Sequence, residues 1–252
     1  MDLEKAKLEF IEYTDKYRRL GKECIRKINH TFRVMDLCGE IAESLNLSDE
    51  EIKLAKLCGL LHDLGRFEQW KRYKTFNDMD SIDHGDLAVT LLKEKESKFL
   101  RKFISTNKYD SIILNSIKYH NKYSIDEGLS EKEELYAKIV RDADKIDIIY
   151  LYTIEEITRD TNNQKFSKNI FSDLLRNVEV ARIDKKNKAD DLSTSLGFVF
   201  DINFKYSFHI LKEQDYYNKE IDIYEDNTNN EEFIKQLEVV RKEINKYIKE
   251  RL

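Results

Sequence analysis

The sequence predicts an all-α fold, and three observations support this prediction. The 252-residue chain contains no proline and seven glycines, whereas turns, hairpins and strand edges depend on these two residue types. Apolar residues recur along most of the chain at the three- and four-residue spacing of one helix face. Ser48 and Ser130 are each followed three residues later by glutamate, the capping-box pattern that opens helices. We therefore predict a single helical domain over residues 1–252.

Helices of the first half are predicted at 2–20, 28–46, 49–63, 83–95 and 109–121. The second of these places Val34, Cys38 and Ile41 on one stripe. Gly65 comes just after the third, where a left-handed residue often ends a helix. Residues 64–80 are polar and aromatic without clear periodicity, so no helix is predicted there.

Helices of the second half begin after Ser130, where a long helix is predicted to about residue 159. Further helices are predicted at 167–182 and 231–250. Residues 192–212 are apolar and aromatic, and we favour a helix there over a buried irregular element. The polar stretch 213–231 has the weakest pattern of the chain. We expect the C-terminal helices to pack on the N-terminal bundle.

Composition excludes several classes of protein. No apolar run approaches the roughly 20 residues of a membrane span, and the acidic, amphipathic N-terminus MDLEKAKLEF does not resemble a signal peptide. The three cysteines lack C-x-x-C spacing, which predicts a reduced, cytoplasmic protein. The formal net charge of −5 gives no support for bulk nucleic-acid binding.

Four of the five histidines precede residue 121, and each lies on the apolar face of a different predicted helix: His30, His62, His84 and His120. Any one of them is as well explained by a core histidine with a hydrogen-bond partner. Four on four inward faces favour a shared metal site, because imidazole is the commonest metal ligand. His209, between Phe208 and Ile210, is expected in the core or at an interface.

Two aspartates extend this pattern. Asp63 directly follows His62, and Asp144 lies in the middle of a predicted helix among apolar residues. An isolated buried carboxylate is very unfavourable, so Asp144 requires an ion pair or a metal. Asp147 is expected on the same side. Asp142 is expected to turn away, either to the surface or to a supporting position.

These residues resemble the H…HD…D signature of the HD-domain superfamily of metal-dependent phosphohydrolases. The resemblance is carried, in order, by NHTFRV (29–34), GLLHDLGRFEQ (59–69), SIDHGDLAV (81–89), SIKYHNK (116–122) and IVRDADKID (139–147). It covers residues 25–150. Residues 151–252 look like the additional helices that such proteins often carry. An HD-domain-like helical bundle is therefore the expected architecture.

The resemblance implies that a divalent metal is held by His30, His62, Asp63 and Asp144. His84 and His120 fall where the two-metal subset has two further histidines, with the HD aspartate bridging the ions. Arg26 stands where the three-metal subset has an acidic residue, so a third metal is not expected. Imidazole and carboxylate ligands suit Mn or Fe better than Ca. Mg, Co, Ni and Zn stay open, as does the choice between one and two ions.

Substrate contacts are expected from basic and aromatic residues near these ligands. Arg66 matches the basic residue after the family's HD turn, and Lys145 follows Asp144, so both are expected to act with Asp63. Arg33, on the face of His30, is an equal candidate for a salt bridge within its helix. The segment 66–76 interleaves basic and aromatic residues. Gln69 and Trp70 are candidates there for binding a substrate base. The three-residue spacing of the aromatics also fits a turn of helix that packs on the bundle, and this alternative is slightly favoured.

The expected function is hydrolysis of a phosphoester or phosphoanhydride bond in a small phosphorylated substrate, with nucleotides favoured. The enzyme would be a nucleotidase, pyrophosphatase or phosphodiesterase. A di-iron oxygenase and a non-catalytic metal- or nucleotide-binding regulatory protein are the alternatives. The oligomeric state is left open, with a homodimer as one option.

Overall fold

The computed structural model describes residues 1–154, 161, 163–178 and 185–252, apart from the side chains of residues 95–97. These residues contain helices, turns and loops, and no strand occurs among them. The predicted all-α fold is confirmed. The chain divides into two compact units, residues 1–144 and 145–252. The single domain, with a core of about 25–150, stays a prediction.

The first unit contains seven complete helices and most of an eighth: α1 (Leu3–Arg18), α2 (Lys22–Ser44), α3 (Asp49–Leu61), α4 (Leu64–Tyr73), α5 (His84–Ser97), α6 (Leu100–Phe103), α7 (Asp110–Tyr119) and α8 (Glu131–Ile154). The capping box at Ser48 is present, with the Ser48 N–H donating to the Glu51 carboxylate at 3.1 Å. The same arrangement joins Ser130 and Glu133 before α8. These caps satisfy backbone N–H groups that a helix start otherwise leaves unpaired.

The core of the first unit is centred on the packing of α2 against α3. Their buried faces include Val34, Cys38, Ile41, Leu57 and Cys58, which are inaccessible to solvent. The three cysteines of the chain are buried and unpaired by disulfides.

Two predictions around Gly65 are wrong. Residues 64–73 form α4, and Gly65 lies inside this helix without a positive φ. The left-handed residue is Lys74, with φ of 56°, and its N–H closes α4 on the Trp70 carbonyl at 3.0 Å. A Cβ at Gly65 would lie 2.8 Å from the backbone nitrogen of Ala88. Glycine is therefore needed at position 65 because α4 and α5 pack backbone to backbone there.

The second unit contains the rest of α8 followed by α9 (Lys168–Leu175), α10 (Ala189–Gly197), α11 (Lys205–Gln214), α12 (Tyr216–Asp226) and α13 (Glu231–Lys249). The favoured helix at 192–212 is observed as α10 and α11, separated by a 3₁₀ turn at Phe198–Asp201. Helix α12 lies where the pattern was weakest. The expected end of α8 near residue 159 lies outside the described residues. The helix predicted at 167–182 ends at Leu175, so the predicted bound is too long, and residues 179–182 lie outside the described residues.

The core position expected for His209 is wrong, because its side chain is exposed, whereas the interface position stays a prediction. Helix α11 buries Phe208 and Leu211 instead. Successive helix positions are about 100° apart, so the burial of Phe208 does not bury the residue that follows it. Across the described residues, no helix has both the length and the apolar character needed to cross a membrane.

Candidate metal centre

Six side chains from α2, α3, α4, α5, α7 and α8 converge inside the first unit. His30 lies within α2, His62 and His120 cap the C-terminal ends of α3 and α7, Asp63 precedes α4, His84 opens α5, and Asp144 lies within α8. The four histidines and Asp63 are at most 3% exposed. The structure thus brings together the whole predicted ligand set, and its binding of metal stays a prediction.

The Asp63 carboxylate lies between two pairs of imidazoles. Its Oδ2 atom is 3.4 Å from His30 Nε2 and 3.6 Å from His62 Nε2. Its Oδ1 atom is 3.4 Å from His84 Nε2 and 3.8 Å from His120 Nε2. One carboxylate therefore presents a separate oxygen to each pair, the arrangement required of a ligand shared by two cations.

Asp144 belongs to the first of these pairs. Its Oδ1 atom is 3.1 Å from His30 Nε2 and 3.5 Å from His62 Nε2. Burial raises the pKa of the Asp144 carboxyl, but hydrogen bonds from the two imidazoles and their charge outweigh burial and hold this pKa well below its usual range. His30, His62 and Asp144 form one group, in which the possible ligand atoms all lie within 4.8 Å of one another. His62, Asp63 and His120 form a second group by the same measure.

The second pair has the donor chemistry that a cation site requires. His84 Nδ1 donates to Asp78 Oδ2 at 2.7 Å, and His120 Nδ1 donates to the Ile117 carbonyl at 2.6 Å. Burial lowers the pKa of both rings, that of His120 to about 3, so both are neutral near neutral pH. Each Nε2 then carries a lone pair and no proton. The two Nε2 atoms are 2.9 Å apart, a repulsive contact that a bound cation would relieve.

His62 is oriented in the same way. Its Nδ1 donates to the Gly59 carbonyl at 2.7 Å, which directs Nε2 toward the centre. Such outer hydrogen bonds fix the tautomer and orientation of a metal-binding imidazole. Gly59 must be small here, because a Cβ would lie 2.8 Å from Cys38 Sγ and 2.9 Å from Met35 Cα.

Lys27 is a site residue that the sequence analysis missed. Its Nζ lies 2.7 Å from Asp63 Oδ2, and its side chain is 15% exposed. Burial raises the pKa of the Asp63 carboxyl, but the charges of Lys27 and His62 and the bond from His30 hold it well below its usual range. The three-residue spacing from His30 places Lys27 on the same face of α2, a signal that could have identified it.

A second missed residue is Asp78, which joins the substrate candidates of α4 to the metal ligands. Arg66 donates to Asp78 Oδ1 at 2.8 Å and to the Phe76 carbonyl at 2.5 Å. Gln69 also donates to Asp78 Oδ1, at 2.8 Å. The other Asp78 oxygen accepts from His84. Asp78 lies in a segment without periodicity, so no sequence pattern pointed to it.

These hydrogen bonds also involve Gln69 and bear on the substrate contact predicted for it. Its side chain is fully buried, and its amide donates to Asp78, to Ser81 Oγ and to the Ile82 carbonyl. The geometry assigns Gln69 to holding the 76–82 segment against α4. The substrate contact predicted for it would require these bonds to open.

Trp70 is half-buried and stacks on Phe76, with ring centroids 4.8 Å apart. The Phe76 ring also lies 5.8 Å from Lys27 Nζ and 5.8 Å from the Arg66 guanidinium carbon. Aromatic and cationic groups are therefore combined beside Asp63, as the interleaved segment predicts.

The remaining substrate candidates are Arg33 and Lys145. Arg33 is half-buried on α2. Lys145 is 6% exposed, pairs with Asp201 and lies 5.4 Å from the Phe198 ring. Asp142 is fully buried, which excludes the surface position predicted for it and leaves the supporting position as the prediction. Asp147 is buried as expected.

The fold and this cluster define a helical domain with a buried His/Asp centre of two halves. Residues 28–149 match the family model described as HD domain. This part of the chain is similar to HD domains, and the match is consistent with the HD-domain superfamily of metal-dependent phosphohydrolases. HD domains are in general metal-dependent phosphohydrolases that bind divalent cations. Searches of curated proteins and of solved structures each returned no significant match.

Proposed function

We propose that the protein is a phosphohydrolase that uses two divalent cations to cleave a phosphoester or phosphoanhydride bond of a nucleotide. The observation that carries this proposal is the position of Asp63, whose two oxygens each face a different pair of imidazoles. Paired cations about 3.5–4 Å apart are typical of enzymes that transfer phosphoryl groups to water. A site for a single structural ion would not need a shared carboxylate.

The first half of the proposed centre comprises His30, His62 and Asp144, and the second half comprises His84 and His120, with Asp63 common to both. Bound cations would activate a water molecule and stabilise charge on the phosphate oxygens. Mn and Fe suit the mixed imidazole and carboxylate ligands best, and Mg, Co, Ni and Zn are further candidates.

The chain's own cations bind and orient the substrate in this proposal. Lys27 is bonded to Asp63 Oδ2 and partly exposed, so its ammonium can turn from that carboxylate to a phosphate oxygen. Arg66 Nε lies 3.5 Å from Asp63 Oδ1, while its other bonds hold it to Asp78 and Phe76. Arg66 therefore orients the shared carboxylate, and Lys27 is the cation better placed to reach substrate.

A nucleotide is favoured over other phosphorylated molecules because aromatic groups adjoin these cations. Trp70 and Phe76 stack on each other next to Lys27 and Arg66. A nucleobase can stack on such rings while its phosphates face the charged groups. The buried, unbridged cysteines agree with the proposed cytoplasmic location.

The test compares Asp63→Asn with a matched control, Asp36→Asn, which removes a carboxylate that is 61% exposed. Each protein is purified without chelators, its metal content is measured, and phosphate release is assayed with Mn²⁺ or Fe²⁺ across a nucleotide panel. We expect turnover by the wild type and by Asp36→Asn. Asp63→Asn should lose at least about a hundredfold of this activity, because both halves of the centre lose a charged ligand.

Other outcomes would contradict the proposal and identify an alternative. Turnover unchanged in Asp63→Asn would exclude the centre as the active site. A metal-dependent rise in melting temperature without turnover of any substrate would favour a non-catalytic regulatory protein. Bound iron that consumes dioxygen, without phosphate release, would favour the oxygenase.

A further inference from the structure

A buried arginine, Arg141, binds the turn that follows α7. Its guanidinium donates to the Tyr119 carbonyl at 2.7 Å, to the Lys122 carbonyl at 2.5 Å and to the Tyr123 carbonyl at 3.4 Å. The residue is 2% exposed and is among the largest fully buried side chains of the described residues. One guanidinium thus contacts the backbone on both sides of His120.

Physical chemistry explains why arginine is required for this contact. The last carbonyls of a helix have no partner within the helix, and burying them unpaired is unfavourable. Burying a guanidinium is also unfavourable unless its donors are satisfied. The rigid, planar arrangement of five N–H donors in arginine can reach several carbonyls at once, which a lysine ammonium cannot do with the same geometry.

The bound turn carries two groups of the second half of the centre. His120 contributes the Nε2 atom that lies 2.9 Å from His84 Nε2. Asn121 donates to Asp78 Oδ2 at 3.2 Å and to Asp83 Oδ2 at 3.0 Å. Asp78 is the carboxylate that orients His84, so the turn influences both imidazoles of this half.

Arg141 also connects this turn to the first half of the centre. It precedes Asp144 by three residues on α8, and residues at this spacing share a helix face. The helix is continuous between Arg141 and Asp144, so it fixes the distance from the Asp144 carboxylate to the turn that Arg141 binds. Catalytic and metal sites need such support, because about 0.5 Å of displacement already impairs them.

We propose that Arg141 is a positioning residue that holds His120 relative to Asp144, so that the second half of the centre is formed before a cation binds. This inference rests on the proposed two-cation centre. Removing the guanidinium should therefore weaken the second metal equivalent selectively. A purely structural arginine would instead lower stability without distinguishing the two equivalents.

The test uses Arg141→Met, which keeps the length of the side chain and removes its donors, and Arg141→Lys, which keeps the charge. Ile139→Ala is the matched control, because Ile139 is fully buried on the same helix and its truncation destabilises without removing a hydrogen-bond donor. Mn²⁺ binding to the full chain is measured by calorimetry together with metal content. Hydrogen exchange of the amides of residues 120–123 is measured in the metal-free protein.

We expect Arg141→Met to weaken the second equivalent at least about tenfold and to leave the first within about twofold. Exchange in the turn should rise in the same variant, and Arg141→Lys should be intermediate. Ile139→Ala should leave both equivalents and the exchange of the turn unchanged. Should Arg141→Met fail to fold, Arg141→Lys decides by the same measurements.

Two results would overturn the inference: unchanged binding of both equivalents in Arg141→Met, or a parallel loss of both that Ile139→Ala reproduces. A wild type that binds fewer than two cations would instead refute the two-cation centre. In that case the exchange data alone decide whether Arg141 holds the turn, since they are collected without metal.

Discussion

Gly65→Ala tests whether the close approach of α4 and α5 sets the position of His84. A methyl group at this position would lie 2.8 Å from the Ala88 backbone nitrogen and closer still to the His84 carbonyl oxygen. Ordinary contacts of this kind begin at 3.4 Å. Neither atom belongs to a flexible side chain, so the two helices must move apart by more than about half an ångström.

The magnitude follows from two opposing effects. Replacing a helical glycine by alanine favours the helix by about 1 kcal/mol. Forcing an additional methyl into a packed contact typically costs about 1–3 kcal/mol, and the upper part of this range applies because backbone must move. We expect the free energy of unfolding to fall by about 2 kcal/mol. His84 opens α5, so its displacement should weaken binding of the second cation about tenfold or more.

Two other glycines of the same chain provide matched controls. A Cβ at Gly39 meets only the side chain of Lys56, which can rotate away, and a Cβ at Gly128 meets nothing within 4 Å. Gly39→Ala should be neutral or stabilising by up to about 1 kcal/mol, and Gly128→Ala should change stability by less than about 0.5 kcal/mol. Urea denaturation of the metal-free proteins and calorimetric titration with Mn²⁺ measure both effects.

The reasoning is refuted if Gly65→Ala is as stable as the wild type and binds both cations with unchanged affinity. Loss of stability with unchanged cation binding would support the steric conflict at Gly65 and contradict the displacement of His84. It would show that α5 accommodates the methyl group without displacing His84.

Three further predictions concern the charges around the centre. Lys27→Met should lower the melting temperature of the metal-free protein, because Asp63 loses the ammonium paired with it. It should also enlarge the rise in melting temperature that Mn²⁺ produces, because this ammonium competes with a bound cation. An unchanged rise in melting temperature would contradict this. Asp78→Asn should weaken metal binding about tenfold, because His84 loses its anionic acceptor; unaltered calorimetric affinity would exclude this role. Burial lowers the pKa of His120 from 6.5 to about 3, so between these values the unfolded chain binds a proton that the metal-free folded chain does not. The contribution of His120 to the free energy of unfolding should therefore fall by about 1.4 kcal/mol for each pH unit of acidification. Urea titrations that give equal pH slopes for the wild type and His120→Gln would refute this.

Most of the fold follows from local patterns, and α4 and α12, two helices that were not predicted, share one cause. Helix α4 buries Arg66 and Gln69 along with Leu64 and Phe67. Helix α12 buries Glu220 along with Tyr217, Ile221 and Tyr224. A helix that buries polar residues shows no clean apolar stripe, so its period is hidden until the partners of those polar groups are known.

The candidate metal ligands could be predicted from the sequence, whereas a residue that orients them, Asp78, could not. His30, His62, His84 and His120 were recognisable because each lies on an apolar helix face, where an unpartnered imidazole is unfavourable. Asp78 carried no such signal, since it becomes important only where Arg66, Gln69 and His84 converge on it. Supporting residues of this kind are defined by contacts between segments and not by periodicity.

The sequence by itself determined the helical class of this protein and six metal-ligand candidates. Helix periodicity placed the four histidines and Asp144 on inward faces, and the family resemblance added Asp63. Tertiary structure alone decided that the two oxygens of Asp63 face different imidazole pairs. It also decided that Lys27 binds this carboxylate and that Gly65 permits the approach of α5. The physical reason is that hydrogen bonds and steric contacts act over about 3–4 Å, a distance that sequence spacing specifies within one helix but not between helices.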